Sequence, residues 1–351
     1  MAVYAFWNNK GGVGKSYLTF QLASEYARTH SDQNVLVVDL CPQANASGML
    51  LGGMENGEAA LDVLSLRTPR KTISGYIEDR ITSPYVNPKT GDQYVVNVSE
   101  LNHHVPKNLF LVPGDEQLEI QTPRVRAATF PGPTDAWRIV HTWITDLVQD
   151  IQNSWNQGSS TVFVDCNPSF TLYTELAMSA SDRLIIPFSA DGSSKRAVRA
   201  VLALLYGRMR YPGSLQSEFF NNSKQFRLPI PRIYCYVGNR LTQYLRSAKA
   251  FRTVVNEIGN EVWSVWKDDP NDFHIHPRGA ASPLTRHAFK DMFQFEIVDA
   301  NTASVVSSSL GIPINRLSAG LQSVAGRTVM VNQSQLSTQQ PNITELVQAI
   351  E

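Results

Sequence analysis

The sequence predicts an α/β fold, a mostly parallel, twisted sheet flanked by helices. Short apolar runs alternate with helical patterns along the 351 residues, as expected for parallel strands joined by covering helices. A glycine-rich loop lies between the first apolar run and the first helical pattern. With 42% hydrophobic and 18% charged residues, the chain has a globular composition. The predicted strands are Ala2–Trp7, Val35–Asp39, Asn108–Val112, Thr161–Asp165, Arg183–Phe188, Arg232–Val237 and Gln294–Val298.

The helical patterns and their interruptions complete this outline. Helices are predicted over Ser16–Thr29 and over Thr134–Trp155, where apolar residues recur at spacings of three and four. Residues 68–107 contain a turn signal, Asn87 to Asp92, between flanks rich in isoleucine, valine and tyrosine, which predicts a hairpin insertion. The polar residues 211–229 predict a loop. Residues 262–290 carry histidines without the spacing of metal ligands, so we expect no metal site there.

Bulk charge and cysteine usage exclude several classes of protein. Lysine plus arginine and aspartate plus glutamate both number 31, so a nucleic-acid contact requires a local basic face. The cysteines Cys41, Cys166 and Cys235 are too scattered for a disulfide framework or a zinc site. No basic leader precedes the first apolar run, and no run approaches the roughly 20 apolar residues that span a bilayer. We therefore expect a cytoplasmic protein without a membrane segment.

The most specific motif is the loop Asn8-Asn9-Lys10-Gly11-Gly12-Val13-Gly14-Lys15-Ser16, which follows an apolar strand and opens a helix. Its glycines let backbone N–H groups approach phosphate oxygens, and the helix adds the positive end of its dipole. We expect Lys15 to bridge the β- and γ-phosphates of a nucleotide and the Ser16 hydroxyl to ligate Mg²⁺. Asn9 stands where the general consensus has its first glycine.

The segment Lys10 to Ser16 resembles the deviant Walker A motif of the ParA/MinD/Soj ATPases, a group of P-loop NTPases. The resemblance implies ATP and Mg²⁺ as cofactors and a homodimer that forms on ATP binding. It also implies that Lys10 crosses the dimer interface to the partner's nucleotide. A second cation beside Lys15 is repelled in an empty site and is favoured once phosphates are present, which would couple ATP binding to dimerisation. The implied nucleotide contacts are Lys10, Gly11, Gly12, Val13, Gly14, Lys15, Ser16 and Tyr17.

Further stretches resemble this family in the same order. Residues 35–45 resemble its switch I, and residues 162–169 resemble its Walker B strand and switch II. The resemblance implies that Ser16, Asp39 and Asp165 serve the magnesium ion, and that Lys10, Lys15, Asp39 and position 41 serve catalysis. Residues 298–299 with 311–313 resemble the family's closing strand, loop and helix, which implies that Asp299 lies near the adenine. Asn239 either contacts the adenine or caps a loop. The match covers about 1–320, so we expect one ATPase domain over 1–325, with the insertion at 68–107, and a tail at 326–351 with a short helix.

One position departs from the family pattern. The second switch I aspartate, which the family uses to orient the attacking water, is Cys41 here. A thiol accepts hydrogen bonds weakly and is mostly uncharged at neutral pH, so we expect slow or partner-stimulated hydrolysis. Two alternatives remain: Cys41 is a thiolate nucleophile, although no histidine lies nearby in sequence, or the chain binds ATP for dimerisation without turnover.

The family resemblance also implies nonspecific binding of double-stranded DNA by the ATP dimer. A helix is predicted over Leu241–Ile258, preceded by Arg240 and carrying Arg246, Lys249 and Arg252 at spacing three. Lys195, Arg196 and Arg199 open another helix. The competing interpretation is a solvated helix face, since most surface charge runs are of that kind.

The expected role is that of a partition or positioning ATPase working with a ParB-like or other adaptor protein. A membrane-associated, MinD-like function needs a basic amphipathic tail, whereas no Lys or Arg follows Arg327. An iron–sulfur carrier needs interfacial cysteines, whereas Cys41 and Cys166 are expected to flank the nucleotide and Cys235 lies within a predicted strand. Operator-specific repression is not indicated, because the phosphate loop begins at residue 8 with no helix-turn-helix before it.

Overall fold

The computed structural model describes residues 2–130, 132–155, 158–209, 211, 213–241, 245–276 and 280–351; for 240, 241 and 245–251 it describes the backbone alone. The strands are β1 (Ala2–Phe6), β2 (Asn34–Leu40), β3 (Val96–Asn97), β4 (Leu109–Val112), β5 (Ser160–Cys166), β6 (Arg183–Phe188), β7 (Arg232–Leu241), β8 (Gln294–Val298), β9 (Gly320–Val324) and β10 (Arg327–Val331).

The α-helices are α1 (Lys15–Thr29), α2 (Asn45–Leu50), α3 (Gly53–Ser65), α4 (Ile73–Thr82), α5 (Gln117–Ala128), α6 (Ala136–His141), α7 (Trp143–Ser154), α8 (Leu172–Ala180), α9 (Ser194–Tyr206), α10 (Glu218–Gln225), α11 (Leu245–Asp268), α12 (Arg286–Phe293), α13 (Thr302–Leu310) and α14 (Gln333–Gln348). Short 3₁₀ turns cover Gly91–Tyr94, Val98–Glu100 and Pro270–Asp272.

Within the described residues, eight strands form one sheet in the order β3-β4-β2-β5-β1-β6-β7-β8. All neighbours are parallel except the edge pair of β3 and β4. Parallel strands need crossover connections, and the helices supply these on both faces of the sheet. The predicted fold class, a mostly parallel sheet flanked by helices, is confirmed.

Two apolar cores lie on opposite faces of this sheet. Along β1, Val3 and Ala5 face the core that includes α7, α8 and α9, whereas Tyr4 and Phe6 face the core that includes α1, α13 and α14. Every residue of β1 is buried because helices cover both faces, which is why the central strands read as continuous apolar runs. Because helices pack on both faces, the strands are held rigidly, and so are the starting points of the loops at their carboxyl ends.

The structure confirms all seven predicted strands and the first helix, with shifts at the ends. Several other boundaries are wrong. The helix predicted over Thr134–Trp155 is interrupted at Thr142, which separates α6 from α7. The predicted loop at 211–229 contains α10, whose Ser217 caps the helix by accepting a hydrogen bond from the Phe220 N–H. The helix predicted over Leu241–Ile258 begins only at Leu245, since Leu241 still belongs to β7, and it continues past Ile258 to Asp268.

The hairpin predicted within 68–107 is also wrong. The turn itself is present: Lys89 has a φ of 58° and its N–H donates to Asn87 Oδ1 at 2.9 Å. The apolar residues before it form α4, because Ile73, Tyr76 and Ile77 follow helical spacing and are fully buried. The residues after it form a 3₁₀ turn and the short strand β3, which pairs with β4.

The C-terminal residues pack against the main sheet. β9 and β10 form an antiparallel hairpin, and α14 lies against α1 and β8. The buried Gln339 fixes this contact, since its side chain accepts from Tyr17 Oη at 2.6 Å and donates to the Val298 carbonyl at 2.8 Å. The short helix expected in the tail is therefore a sixteen-residue helix with a buried face.

We predict that Leu346→Ala lowers the free energy of unfolding by about 2–5 kcal/mol, because Leu346 is fully buried in the core beneath α14. Leu321→Ala is the matched control; Leu321 is 67% exposed on β9, so its loss should stay within about 0.5 kcal/mol. Urea unfolding followed by circular dichroism measures both. Equal, small losses would mean that α14 does not share the folding unit of the sheet.

Candidate active site

A cleft of about 400 Å³ opens at the carboxyl ends of β2 and β5 and above the loop that follows β1. Clefts at this edge of an open parallel sheet are the usual place for ligands, because the loops from neighbouring strands diverge there. Its lining combines residues of the phosphate loop and the start of α1, the segments that follow β2 and β5, and the helices α2, α3 and α13. They are Gly12, Gly14, Lys15, Ser16, Tyr17, Cys41, Gln43, Asn45, Gly48, Met49, Gly53, Met54, Glu58, Cys166, Pro168, Ser308 and Ser309.

The phosphate loop is held open by backbone geometry and by two buried amides. Gly12 and Gly14 have φ values of 74° and 77°, which disfavour any residue with a Cβ. The Asn8 side chain donates to the Pro187 carbonyl at 2.7 Å and ties the loop to the end of β6. On the other side, Asn239 donates to the Val13 carbonyl at 3.0 Å. The loop conformation is thus fixed by the sheet beneath it.

Lys15 lines the cleft and is 6% exposed. Its ammonium group donates to the Lys10 carbonyl at 3.0 Å and to the Asn8 carbonyl at 3.4 Å, so the side chain curls over its own loop. Burial lowers the pKa of Lys15, and the negative charge of Asp165 opposes that shift. A polyanion in the cleft would offer this ammonium group charged partners in place of two backbone carbonyls.

Two aspartates meet beside Lys15. Asp39 and Asp165 are direct register partners at the ends of β2 and β5, and both are fully buried. Asp165 accepts hydrogen bonds from Ser16 Oγ at 2.6 Å and from Thr19 Oγ1 at 3.4 Å. Burial raises the pKa of both carboxyl groups, and the charge of Asp39 raises that of Asp165 further.

Asp39 also anchors the start of α2. Its carboxylate accepts from the Cys41 N–H at 3.0 Å, and from the N–H and the hydroxyl of Ser47 at 3.0 and 2.7 Å. The Ser47 hydroxyl in turn accepts from the Gly114 N–H at 2.8 Å. A Cβ at Gly114 would lie 2.9 Å from the Asp39 carboxyl carbon, so glycine is required there for space.

This donor set fits a magnesium ion. Mg²⁺ binds carboxylate, hydroxyl and phosphate oxygens, and here two buried carboxylates and the Ser16 hydroxyl converge beside the phosphate loop. A divalent cation would also relieve the repulsion between the aspartates. Ser16, Asp39 and Asp165, as the resemblance implied, are the residues that would hold it, and the cation would neutralise charge on the phosphates.

Cys41 lines the same cleft and is 4% exposed. Burial raises the pKa of its thiol to about 12, and the charges of Asp39 and Asp165 act in the same direction. A neutral thiol is a weak nucleophile, which argues against the thiolate alternative. Cys166 is in a similar position, since burial and Asp165 raise the pKa of its thiol well above the ordinary value.

The walls contributed by α3 and α13 were not predicted from the sequence. Gly53 allows the two helices to touch, because a Cβ there would lie 2.1 Å from the Ser309 carbonyl oxygen. This contact brings Met54 and Glu58 of α3 and Ser308 and Ser309 of α13 to the cleft. No sequence motif marks these residues, since they reach the site only through helix packing.

The two residues considered for the adenine lie outside the lining of the cleft. Asn239 is fully buried beneath the phosphate loop, as described above. Asp299 accepts from the Asn301 N–H at 2.9 Å and from Ser304 Oγ at 3.4 Å, next to the start of α13. Tyr17 does line the cleft, and its hydroxyl is bound to Gln339.

Lys10 is turned away from the cleft. Its ammonium group forms an ion pair with Asp191 and donates to Ser189 Oγ at 3.1 Å and to Ser194 Oγ at 3.4 Å, all in the loop between β6 and α9 or at the start of α9. The side chain is 24% exposed. Burial favours the neutral acid, yet hydrogen bonds from Lys10, Ser189 and Ser193 hold the pKa of Asp191 below its ordinary value. Asp191 was not predicted from the sequence.

Comparison with known proteins agrees with this geometry. A family model described as an AAA domain, of the ParA/MinD kind, matches residues 1–206, more than half of the chain. The chain belongs to this family. It is a ParA-like P-loop ATPase by family, as the loop motif suggested. No curated protein matches the sequence.

Solved structures share the fold at low sequence identity. The ATP complex of an aspartate-to-alanine variant of McdA from Cyanothece has a TM-score of 0.59 and 14% identity, covering 100% of this chain and 98% of its own. A putative plasmid partition protein from Borrelia burgdorferi bound to AMPPNP has a TM-score of 0.52 and 16% identity, covering 98% and 97%. Cobyrinic acid a,c-diamide synthase from Mycobacterium smegmatis, with an ATP analog and magnesium, has a TM-score of 0.50 and 16% identity, covering 74% and 82%.

In this ParA-like chain the predicted DNA-binding residues have mixed surroundings. The side chains of Arg240, Arg246 and Lys249 lie outside the described residues, and Arg252 is exposed on α11. On α9, Arg196 is exposed, whereas the other two cations face α11. Lys195 pairs with Glu257 at 3.0 Å, and Arg199 pairs with Glu261. These ion pairs reduce the positive charge on the basic face that the sequence suggested.

None of the described helices has the length and apolar composition that crossing a membrane requires.

We predict that Asn239→Ala weakens ATP and GTP binding by the same factor, about tenfold, because the variant loses its support of the Val13 and Gly14 carbonyls. Titration of fluorescent ATP and GTP analogues measures this. Asp299→Ala is the control, and we expect it to leave both affinities unchanged. A loss for ATP with GTP unaffected would instead assign Asn239 to the adenine.

Proposed function

We propose that this chain is an ATP-dependent dimerising switch of the ParA kind that binds nonspecific double-stranded DNA and positions a large cargo. One observation carries the dimerisation step: the two lysines of the phosphate loop have different surroundings. Lys15 lines the cleft, whereas Lys10 lies outside it, partly exposed and bound to the β6–α9 loop. A lysine placed there is available to a nucleotide held by a second copy of the chain.

The ion pair with Asp191 adds a condition to this switch. In the single chain the Lys10 charge is already compensated by Asp191, Ser189 and Ser194. Lys10 therefore leaves its own subunit when the partner site offers a stronger anion, such as the triphosphate of bound ATP. A partly exposed ion pair contributes about 0.2–1 kcal/mol, so it holds Lys10 without blocking dimerisation.

Hydrolysis in this proposal is slow or stimulated by a partner. Cys41 occupies the place of the water-orienting aspartate, and its raised pKa keeps the thiol neutral. Loss of such a residue costs about two orders of magnitude in rate, or roughly 3 kcal/mol. The ATP dimer would then be long-lived. If turnover is negligible even with DNA and adaptor, the chain is instead an ATP-binding dimerisation module.

DNA binding is expected to depend on the dimer. Arg196 and Arg252 are exposed, but Lys195 and Arg199 are already paired with glutamates, so the described part of the α9–α11 face offers few free cations in one subunit. Two subunits would double the number of phosphate contacts and make the affinity fall steeply with salt. A ParB-like or other adaptor would release the cargo by stimulating hydrolysis.

We predict opposite effects for variants at the two ends of the Lys10–Asp191 pair. Lys10→Ala should abolish ATP-dependent dimerisation and reduce DNA retention at least about tenfold, because the partner's triphosphate loses its cation. Asp191→Asn should lower the ATP concentration needed for dimerisation by about two- to fivefold, because the lysine is released from its own subunit. Light scattering and DNA-column retention across an ATP series give both readouts.

The control for these variants is Lys89→Ala, an exposed lysine on the 68–107 segment that should change neither readout. ATP binding itself should be retained in all three variants. If Lys10→Ala dimerises and retains DNA like the wild type, the trans-lysine mechanism is wrong.

We predict that Cys41→Asp raises the rate of phosphate release at least about tenfold at saturating Mg·ATP, by restoring a strong acceptor for the attacking water. Cys41→Ser is the matched control, since it keeps the size of the side chain without adding a carboxylate. Single-turnover assays with and without DNA measure the rates. An Asp variant that binds ATP but shows no faster release contradicts the assignment of this segment as switch I.

A further inference from the structure

A second cavity of about 320 Å³ lies at the opposite end of α1 from the phosphate loop. It opens to solvent and is bordered by the last turns of α1, the segment before β4 and the turn after α13. Ser24 lies nine residues after Lys15 along α1, which corresponds to about 14 Å along the helix axis. The cavity shares none of its lining with the ATP cleft.

The charged groups around this cavity are basic. Arg28, Lys107 and Arg316 line it together with His104, and none of its lining residues carries a carboxylate. Arg28 is compensated by the buried Glu25, through contacts of 2.7 and 2.8 Å. Lys107 and Arg316 are exposed and form no ion pair within the described part of the chain. Two uncompensated cations, one from the segment before β4 and one from the turn after α13, line the same cavity and favour an anionic occupant.

Two residues that line the cavity carry buried polar atoms without partners among the described residues. Ser24 is 1% exposed, and its hydroxyl forms no hydrogen bond among the described residues, although serine in a helix commonly bonds a carbonyl one turn earlier. The Asn315 amide donates to Glu25, which accepts only, so Asn315 Oδ1 is left as an unpartnered acceptor. Buried polar atoms of native proteins are normally satisfied, so a ligand with hydroxyl groups would complete both.

The walls are held in place before any ligand arrives. Asn108 donates to three carbonyls at the end of α1 and beyond it, those of Ala27, His30 and Gln33, at 3.0, 3.0 and 2.7 Å. The turn after α13 is fixed to α1 because the Ile314 N–H donates to Gln21 Oε1 at 2.9 Å. A preformed cavity loses little freedom on binding, as expected of a ligand site.

We propose that this cavity binds a small phosphorylated molecule that carries hydroxyl groups, such as a sugar phosphate or a nucleoside monophosphate. Its phosphoryl group lies between Lys107 and Arg316, and its hydroxyl groups reach Ser24 and Asn315. Duplex DNA is the less favoured occupant, because it presents phosphates on a convex surface that meets the exposed cations but not the buried Ser24 hydroxyl.

The test uses ribose 5-phosphate, inorganic phosphate and a 20-base-pair duplex as probes, titrated by calorimetry into the full chain. All titrations are repeated in a Lys15→Ala background, which removes phosphate binding at the ATP cleft. We expect ribose 5-phosphate to bind more tightly than inorganic phosphate and equally well in both backgrounds. Lys107→Gln with Arg316→Gln should weaken it at least about tenfold, and Ser24→Ala about threefold or more.

The control pair is Lys89→Gln with Arg327→Gln, which removes two exposed cations elsewhere and should leave binding unchanged. Ser24→Ala removes a hydroxyl without a protein partner, so its melting temperature should match that of the wild type. Absence of saturable ribose 5-phosphate binding up to about 10 mM overturns the proposal. So does binding that is lost in Lys15→Ala, or duplex binding that depends on Lys107 and Arg316 while Ser24→Ala has no effect. None of these outcomes depends on whether ATP drives dimerisation.

Discussion

The active end of this molecule depends on the enforced proximity of Asp39 and Asp165. Parallel pairing of β2 with β5 places the two carboxylates side by side at the carboxyl ends of these central strands. Burial there disfavours their charged forms. Hydrogen bonds from Ser16 and Ser47 and the nearby charge of Lys15 offset part of that cost. Two neighbouring buried carboxylates favour the binding of a cation. A magnesium ion bound with a nucleotide would supply it.

The same aspartates connect the site to the surrounding loops. Asp39 accepts from Ser47 at the start of α2, and Ser47 accepts from Gly114 after β4. A change of charge at Asp39 would therefore alter contacts at the ends of β2, β4 and β5. Lys10 lies outside this network, in a second one built on Asp191. In the proposed dimer, that separation would let one loop serve its own site with Lys15 and the partner's site with Lys10.

The sequence predicted most of the sheet and the phosphate loop because their signals are local. Strands of five to seven residues stand out by their apolar side chains when both faces of a sheet are buried, and glycine spacing specifies the loop. Features that depend on tertiary contacts were missed. A genuine turn at Lys89 was extended into a hairpin, although the residues before it form α4 against the core. Glu58, Ser309 and Asp191 reach their places through helix and loop packing, which leaves no pattern in the sequence.

The aspartate network also gives a physical reason for a cysteine at position 41. Burial and the charges of Asp39 and Asp165 raise the pKa of the thiol to about 12, and a carboxylate in that place would experience the same repulsion. A third buried carboxylate would be costly until a divalent cation and phosphates entered the cleft. Cysteine avoids that cost in the nucleotide-free chain and gives up a strong acceptor for water. Under the proposed function, the cysteine would lower the rate of hydrolysis and stabilise the nucleotide-free site, which fits the long-lived ATP dimer proposed above.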